Sequence, residues 1–170
     1  MRWLVMVCGL ALACSGGAAN QPGSTAQQAD AAALASIRAV HGGAGPWVVA
    51  GFRMGRYALA RLGLRQGSFD LEVVHHTPGE VQYACIADGA AAATGVSLGR
   101  LNLRLQAAAA AETRTTYRRR SNGAELTLQV APEFASRYTN VPPSQLAAAG
   151  REVLQLPDAA IFIEASSGQQ

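Results

Sequence analysis

The sequence predicts an α+β fold. Segments in which apolar residues recur at helical spacing alternate along the chain with segments in which they recur at every second position. The order of these segments is helix, strand, helix and then three strands, which is typical of α+β domains. Turn signals containing glycine and proline separate them. About 140 residues follow the first 29, a length that suits one domain with a single core.

The first two predicted helices precede the first strand. Residues 29–40 are alanine-rich and predict a short helix. Pro46 suits the first turn of a second helix, because the N–H that proline lacks has no partner there. Residues 47–62 place apolar and small residues on one side of that helix and most of its arginines on the other. Gly63 is a helix-stop signal.

The middle of the chain predicts a strand, a helix and a second strand. Residues 69–76 alternate in the manner of a strand, and the Pro-Gly pair at 78–79 predicts a turn. Residues 81–94 are rich in small residues and predict a helix that ends at Gly95. Residues 101–105 alternate again, which predicts a strand that contributes Leu101 to the core.

The last third predicts a hairpin, two helices and a final strand. Residues 113–120 favour β structure, and the Ser-Asn-Gly run at 121–123 is a hairpin signal before the returning strand at 126–130. Ser144 is expected to cap the longer of the two helices. The remaining elements are a short helix, a longer helix and an apolar strand, at residues 132–138, 145–154 and 159–164.

The N-terminus predicts export. Arg2 precedes an apolar run at residues 3–13 that is too short to span a bilayer, as in a signal peptide. The run ends Ala-Leu-Ala before Cys14, which looks like a bacterial lipoprotein processing site with Cys14 as the lipidated N-terminus. Ordinary cleavage after residue 13 is the alternative. We therefore expect a lipoprotein of the bacterial cell envelope, or otherwise a soluble periplasmic protein.

The predicted boundaries follow from these signals. Residues 1–13 form the signal peptide, and residues 14–29, rich in Gly, Ser, Gln and Ala, form a flexible tether. Residues 30–165 form the domain, and residues 166–170 form a frayed tail.

Composition argues against nucleic acid as a partner. All fourteen basic residues are arginine, and loss of Arg2 leaves thirteen against eleven acids, a net charge of only +2. The cluster at 118–120 is expected to be a solvated strand end. Membrane contact is expected only through a lipid on Cys14. Lipidation there leaves Cys85 without a disulfide partner, so burial as a small hydrophobic residue is expected for it.

Two sequence blocks carry the strongest functional signal. The first reads His-Gly-Gly-Ala-Gly-Pro at 41–46 and Gly-Phe-Arg-Met-Gly at 51–55. The second reads Cys-Ile-Ala-Asp-Gly at 85–89 and Thr-Gly-Val-Ser-Leu-Gly-Arg-Leu-Asn-Leu at 94–103. They resemble the patterns H-G-H-x-C-P-G, G-x-R-M-G, C-x-x-D and T-G-C-T-x-G-K-x-N-L of the FmdE family, whose name comes from formylmethanofuran dehydrogenase. The resemblance covers about residues 30–165 and implies a mixed sheet backed by helices.

The chain departs from the family pattern at positions that would ligate metal. Gly43, Gly45 and Val96 stand where the family has His, Cys and Cys. Family members look like metal-binding proteins with Cys and His ligands, so the resemblance implies a kept scaffold with a degenerate metal site. The zinc ribbon that some members carry is missing, because the sequence has no Cys-x-x-Cys pair.

The resemblance carries over two possible metal ligands, His41 and Cys85. Asp88 lies three residues after Cys85 on the same helix face, and we expect these three residues to converge near the helix start at Pro46. A zinc site needs four ligands, or three and a water molecule. Zinc or a similar transition metal is therefore not favoured as a cofactor, and folding without metal is expected.

Either of two neighbouring histidines, His75 or His76, is a candidate third ligand. Adjacent strand residues face opposite ways, so at most one of them can join a site. The simpler interpretation of His75 is a hydrogen-bonded histidine at the end of a buried row.

Five motif positions are candidate pocket residues: Gly45, Arg53, Asp88, Thr94 and Asn102. Gly45 at a helix start leaves backbone N–H groups free to receive an anion. Arg53 is expected to pair with Asp88 across two helices.

Three functions stay open at this point, and no catalytic residue is predicted. The leading one is a lipid-anchored, non-catalytic binding or accessory module with an unknown small ligand, and a homodimer is a candidate assembly. The second is a metal-binding protein that uses His41 and Cys85. The third is a redox or thiol enzyme built on Cys85, which requires a partly exposed thiol in electropositive surroundings. The resemblance does not imply formylmethanofuran chemistry, because the FmdE component is an accessory one and an exported protein cannot join a cytoplasmic complex.

Overall fold

The computed structural model describes residues 22–165. The predicted signal peptide, Cys14 and the tail at 166–170 lie outside the described residues. The helices are α1 Pro22–His41, α2 Pro46–Leu62, α3 Val81–Thr94, α4 Pro132–Tyr138 and α5 Leu146–Gln155. The strands are β1 Leu71–Thr77, β2 Leu103–Ala107, β3 Arg114–Arg119, β4 Glu125–Val130 and β5 Phe162–Glu164. Short 3-10 turns lie at Ala110–Glu112, Pro143–Gln145 and Asp158–Ala160.

The five strands form one mixed sheet in the order β2-β1-β3-β4-β5. β1 and β2 are parallel, and helix α3 connects them. The other neighbouring pairs are antiparallel. The fold is therefore α+β, and the predicted mixed sheet backed by helices is confirmed.

Helices α2 and α3 form the most extensive helix–helix contact, which fixes the geometry of the site. A Cβ atom on Gly51 would overlap the backbone of Ile86, and one on Gly89 would overlap the backbone of Val48. The two helices approach this closely because both positions are glycine. Gly51 of the first sequence block and Gly89 of the second therefore serve helix packing.

Several element boundaries differ from the predicted ones. Helix α1 begins at Pro22 rather than near residue 29, because the Ala- and Gln-rich stretch before it also favours helix. Leu101 was expected in a core strand, but it is exposed with a φ of 52° in the turn before β2. Ser144 does not cap α5. It lies inside the 3-10 turn that the Pro-Pro pair opens, and Gln145 holds the cap position.

The final strand is also shorter than predicted. Residues 158–160 form a 3-10 turn, and only the last three residues of the apolar segment pair with β4. Within residues 22–165, none of the helices combines the length and the hydrophobicity that a bilayer crossing requires.

Candidate functional site

Helix α1 delivers His41 to the site. His41 is the last residue of this helix, and Gly42 follows it with a φ of 84° and donates its N–H to the Arg38 carbonyl. A residue in this left-handed conformation ends a helix and turns the chain, and glycine adopts it without a steric penalty. The short connection to α2 then brings Gly45 and Pro46 back beside the histidine.

Helix α3 supplies Cys85 and Asp88 to the same place. The Nδ1 atom of His41 lies 2.8 Å from an Asp88 carboxylate oxygen, and its Nε2 atom lies 3.3 Å from the Cys85 sulfur. The two α3 residues are three apart, so they share the helix face on which α1 packs. The predicted convergence of His41, Cys85 and Asp88 is therefore confirmed.

The carboxylate favours the His41 tautomer that carries its hydrogen on Nδ1. An ionised carboxylate only accepts hydrogen bonds, so the Nδ1–H of neutral His41 donates to Asp88. In this tautomer Nε2 carries a lone pair that can accept a hydrogen bond from the Cys85 thiol 3.3 Å away. Asp88, His41 and Cys85 therefore form a hydrogen-bonded chain in which the middle residue is held in one orientation.

The electrostatic surroundings of Cys85 keep it protonated. Burial raises the pKa of the Cys85 thiol, and the negative charge of Asp88 raises it further. Reactive thiols need the opposite influence, because a positive neighbour is what favours the thiolate. The Cys85 environment is therefore poor for the thiol-enzyme hypothesis.

A cavity of about 490 Å³ opens beside this chain. His41 and Cys85 form part of its wall together with Gly45 and the first residues of α2. Trp47 of α2 adds an aromatic surface, and the rest of the wall is mostly apolar and comes from distant segments, with Val81, Tyr138, Val141, Pro143 and Leu146. No side chain in residues 22–165 caps the start of α2, so its first backbone N–H groups have no intrahelical or side-chain partner.

The residues present do not make a complete metal site. Within residues 22–165, no group of three or more His, Cys, Asp or Glu side chains is arranged to hold a metal ion. His41 and Cys85 face each other, but Asp88 occupies the far side of the histidine ring. Two donors are fewer than the three or four that a protein zinc site uses.

The three residues that stand where family members have metal ligands lie in two different places. Gly43 and Gly45 line the same cavity as His41 and Cys85. A Cβ on Gly43 would meet nothing within 4 Å, and one on Gly45 would meet only Leu146, at an ordinary 3.5 Å. Val96 is buried in the core beyond the other end of α3, about 13 Å or more along the helix axis from Cys85. A ligand at position 96 would not reach this cavity.

The predicted pairing of Arg53 with Asp88 is wrong. Arg53 donates 2.6 Å to the Asp158 carboxylate and also to the carbonyls of Val153 and Leu154 at the end of α5. A cation at a helix C-terminus is electrostatically favourable. Arg53 therefore fastens α5 to α2, and Asp88 is engaged by His41 instead.

Thr94 and Asn102 are also placed away from the cavity. The Thr94 hydroxyl donates 2.7 Å to the Ala90 carbonyl of the preceding helical turn. The Asn102 side chain donates to the Leu71 carbonyl and accepts from the Ser97 N–H, which holds the loop before β2. Both side chains are buried. These motif residues make structural contacts in the described chain.

The two neighbouring histidines stay outside the site. His75 is fully buried, with Nδ1 2.9 Å from the Thr115 hydroxyl and Nε2 3.1 Å from the Tyr83 carbonyl. Burial lowers the pKa of His75 to about 4, so the ring is neutral. His76 points to the opposite face of the sheet, beside Arg104 and Thr116. Neither ring reaches His41.

Sequence reasoning missed the apolar half of the cavity. Trp47 Nε1 donates 2.9 Å to the carbonyl of Tyr138, 91 positions away along the chain. Val141 and Leu146 join the wall because α4 and α5 fold back over the start of α2. No local pattern near these residues indicates a cavity, since its shape depends on contacts between distant segments.

Comparison with known proteins identifies the family. A family model described as FmdE, molybdenum formylmethanofuran dehydrogenase operon, matches residues 40–163. No curated protein matches the chain. The matched segment begins one residue before His41 and contains both sequence blocks, helices α2 to α5, strands β1 to β4 and the first two residues of β5. Because the match covers well over half of the sequence, the chain belongs to the FmdE family.

Proposed function

We propose that this chain is an exported, lipid-anchored and non-catalytic binding module that holds a small molecule in the cavity beside His41 and Cys85. The observation that carries the proposal is the cavity itself, about 490 Å³ with a mostly apolar wall and one polar corner. Small-molecule sites in proteins are concave and mostly apolar, with a few polar groups that fix the ligand's orientation.

The chemistry of the wall indicates the class of ligand. Trp47, Tyr138, Val141 and Leu146 offer apolar contact to a ring or chain. The uncapped start of α2 offers backbone N–H groups, which favour a negatively charged or carbonyl oxygen. The ligand is therefore a compound with an apolar body and one anionic or carbonyl group.

The protonated thiol supports a binding role over a catalytic one. A nucleophilic cysteine works as the thiolate, and both burial and Asp88 raise the pKa of Cys85. His41 is fixed by Asp88, so the cluster presents a stable polar surface to a ligand.

A dye-binding titration tests this proposal. The probe is anilinonaphthalene sulfonate, which has an apolar body and one anionic group. Ala147 lies at the cavity mouth and is exposed, so Ala147→Trp fills the mouth without disturbing the core. We expect this variant to bind the dye about tenfold more weakly, roughly 1.4 kcal/mol.

Ala148→Trp is the matched control. Ala148 is exposed on the same helix but does not line the cavity. Wild-type affinity in this control together with the loss in Ala147→Trp supports the proposal. Equal affinity in both variants and wild type would place the dye elsewhere and remove the support.

The export and lipid-anchor parts of the proposal depend on the sequence around Cys14. Arg2, the apolar run at 3–13 and the Ala-Leu-Ala-Cys order motivate them. Mass spectrometry of the native N-terminus is the test. A diacylglyceryl thioether on Cys14 is expected, whereas an unmodified chain that begins at Cys14 or later would exclude the anchor.

Metal binding at His41 and Cys85 is the second candidate. It is favoured by one observation, the Asp88 carboxylate that orients the His41 ring, since metal-ligating histidines commonly carry such a partner. The two remaining ligands would have to come from solvent or a bound molecule. Cobalt titration tests it, because a thiolate–cobalt absorption band that disappears in Cys85→Ser would support metal binding. Failure to produce the band at a several-fold excess of cobalt would reject it.

A further inference from the structure

Strand β2 leaves a regular row of main-chain groups at the sheet edge. The Val73 N–H donates to the Asn102 carbonyl, and the Ala108 N–H donates to the Thr77 carbonyl. In a parallel ladder these bonds alternate along the strand, so the even-numbered residues 102 to 108 face β1. The N–H and C=O groups of Leu103, Leu105 and Ala107 therefore point away from the sheet.

An exposed apolar surface lies beside this edge. The exposed fraction is 81% for Val81, 69% for Leu98 and 54% for Leu105. Single exposed apolar residues are ordinary, but a contiguous group beside a strand edge that no segment of residues 22–165 pairs with is typical of an interaction site. The other edge differs, because β5 has three residues and its Glu164 is engaged by Tyr57 and Arg61.

We propose that a second copy of this chain pairs with β2 in an antiparallel arrangement, with Leu105 opposite the partner's Leu105. This register places Leu103 opposite the partner's Ala107 and satisfies all three outward-facing residues of each copy. The pairing would extend the sheet across a two-fold axis from five strands to ten.

The charges on β2 favour this register over its neighbours. With Leu105 on the axis, Arg104 lies opposite the partner's Gln106. A shift that centres the pairing on Arg104 would instead place two arginines opposite each other, which is destabilising. A shift that centres it on Gln106 would pair Leu103 with a residue beyond the end of the strand.

The partner would cover an open side of the candidate site. A groove of about 250 Å³ runs past Cys85, Asp88 and His41 and is bounded by Leu98, Leu103 and Leu105. Leu103 and Leu105 belong to the strand that would form the interface, and Leu98 lies next to it. The second copy would shield the Asp88–His41–Cys85 chain from bulk water on this side.

Disulfide trapping tests the register. The full chain carries Cys8→Ser, Cys14→Ser and Cys85→Ser, so the introduced cysteine is the one thiol that can form a disulfide. Leu105→Cys is expected to form a disulfide-linked dimer under mild oxidation, because directly opposed strand residues lie about 5.5 Å apart. Leu103→Cys is the matched control, since its own counterpart would lie about four residues along the paired strands and at least tenfold less cross-linking is expected.

Light scattering on the same chain measures the assembly without cross-linking. A dimer is expected for the parent chain, and Leu105→Glu is expected to shift it to a monomer by opposing two like charges. A second variant, Leu105→Pro, removes an N–H that β1 does not use but that the proposed partner strand would need, so it is also expected to be a monomer. A monomeric parent chain, or equal cross-linking through positions 103 and 105, would overturn the proposal. A monomer is also the outcome if another segment of this chain covers the edge.

Discussion

Two histidines in this domain have opposite surroundings. His75 lies within the sheet core, where both ring nitrogens are engaged by Thr115 and Tyr83 and no surface is exposed. His41 lies at a helix end beside a cavity, with its side chain 24% exposed and its two nitrogens facing Asp88 and Cys85. The sequence alone allowed either of them to be a site residue.

The difference in burial indicates that His75 stabilises the fold and that His41 is available to a ligand. A fully buried polar ring whose partners are a strand hydroxyl and a backbone carbonyl stabilises the fold and meets no ligand. A partly exposed ring that a carboxylate orients towards a cavity contributes less to stability and is accessible to a bound molecule. The substitutions below test this contrast, from the largest expected effect to the smallest.

His75→Ala is expected to lower the free energy of unfolding by about 3 kcal/mol, because it leaves a cavity and two unpaired buried polar groups. His41→Ala is expected to cost less than about 1 kcal/mol, since that ring borders an existing cavity. Urea denaturation at neutral pH measures both. His76→Ala is the control on the solvent-facing side of β1. Equal losses in the His75 and His41 variants would contradict the contrast.

Gly43→His combined with Gly45→Cys is expected to raise the affinity for zinc in the cavity that His41 and Cys85 line by about a hundredfold or more, roughly 2.7 kcal/mol. The physical reason is that both positions line the cavity with His41 and Cys85, and the new side chains complete four donors. Competition with a zinc chelator measures the affinity.

Val96→Cys is the matched control for that restoration. It adds a thiol in the core beyond the far end of α3, so zinc affinity should stay at the parent value. If Val96→Cys raised affinity as much as the double variant, the placement of the degenerate site would be wrong.

Lowering the pH from 7.5 to 5 is expected to remove about 2 kcal/mol of stability through His75 alone. The folded-state pKa is lowered from 6.5 to about 4 by burial, so the unfolded chain binds the proton more readily throughout this range. Stability is therefore complete above pH 6.5 and falls as the pH approaches 4. Urea midpoints at the two pH values measure it, and His75→Gln should flatten the dependence. If the stability of His75→Gln fell with pH as much as that of the wild type, groups other than His75 would be responsible for the loss.

Asp88→Asn should lower the pKa of the Cys85 thiol, because the Asp88 charge is one of the two influences that raise it. The rate of alkylation by iodoacetamide at pH 8 is expected to rise about twofold to threefold. Asp158→Asn is the control, since that carboxylate pairs with Arg53 and not with the cluster. A slower reaction in Asp88→Asn would show that the carboxylate activates the thiol.

The sequence predicted the elements well where a local pattern determines them. The helix after Pro46, the glycine stop at Gly63 and the hairpin at 121–123 depend on local backbone chemistry, and the structure has all three. Cys85 and Asp88 share a helix face because three residues separate them, so their proximity also followed from sequence.

The partners of those residues could not be predicted in the same way. Arg53 meets the end of α5 rather than Asp88, because α5 returns to α2 through contacts about 100 positions apart. Leu101 has the alternation of a core strand, yet the loop that Asn102 holds turns it outward. The partner of Arg53 and the exposure of Leu101 both depend on contacts between distant segments, which the periodicity of a single segment does not reveal.

The central claim is that this domain folds around its apolar core and leaves the His41–Cys85 cavity free for a small molecule without needing metal. Thermal unfolding of protein purified without affinity tags, with and without a strong chelator, tests it together with metal analysis. The account predicts less than one equivalent of metal and melting temperatures that agree within about 2 °C. A stoichiometric metal whose removal lowers the melting temperature by about 20 °C or more would contradict the claim, because that loss is typical of a structural metal site.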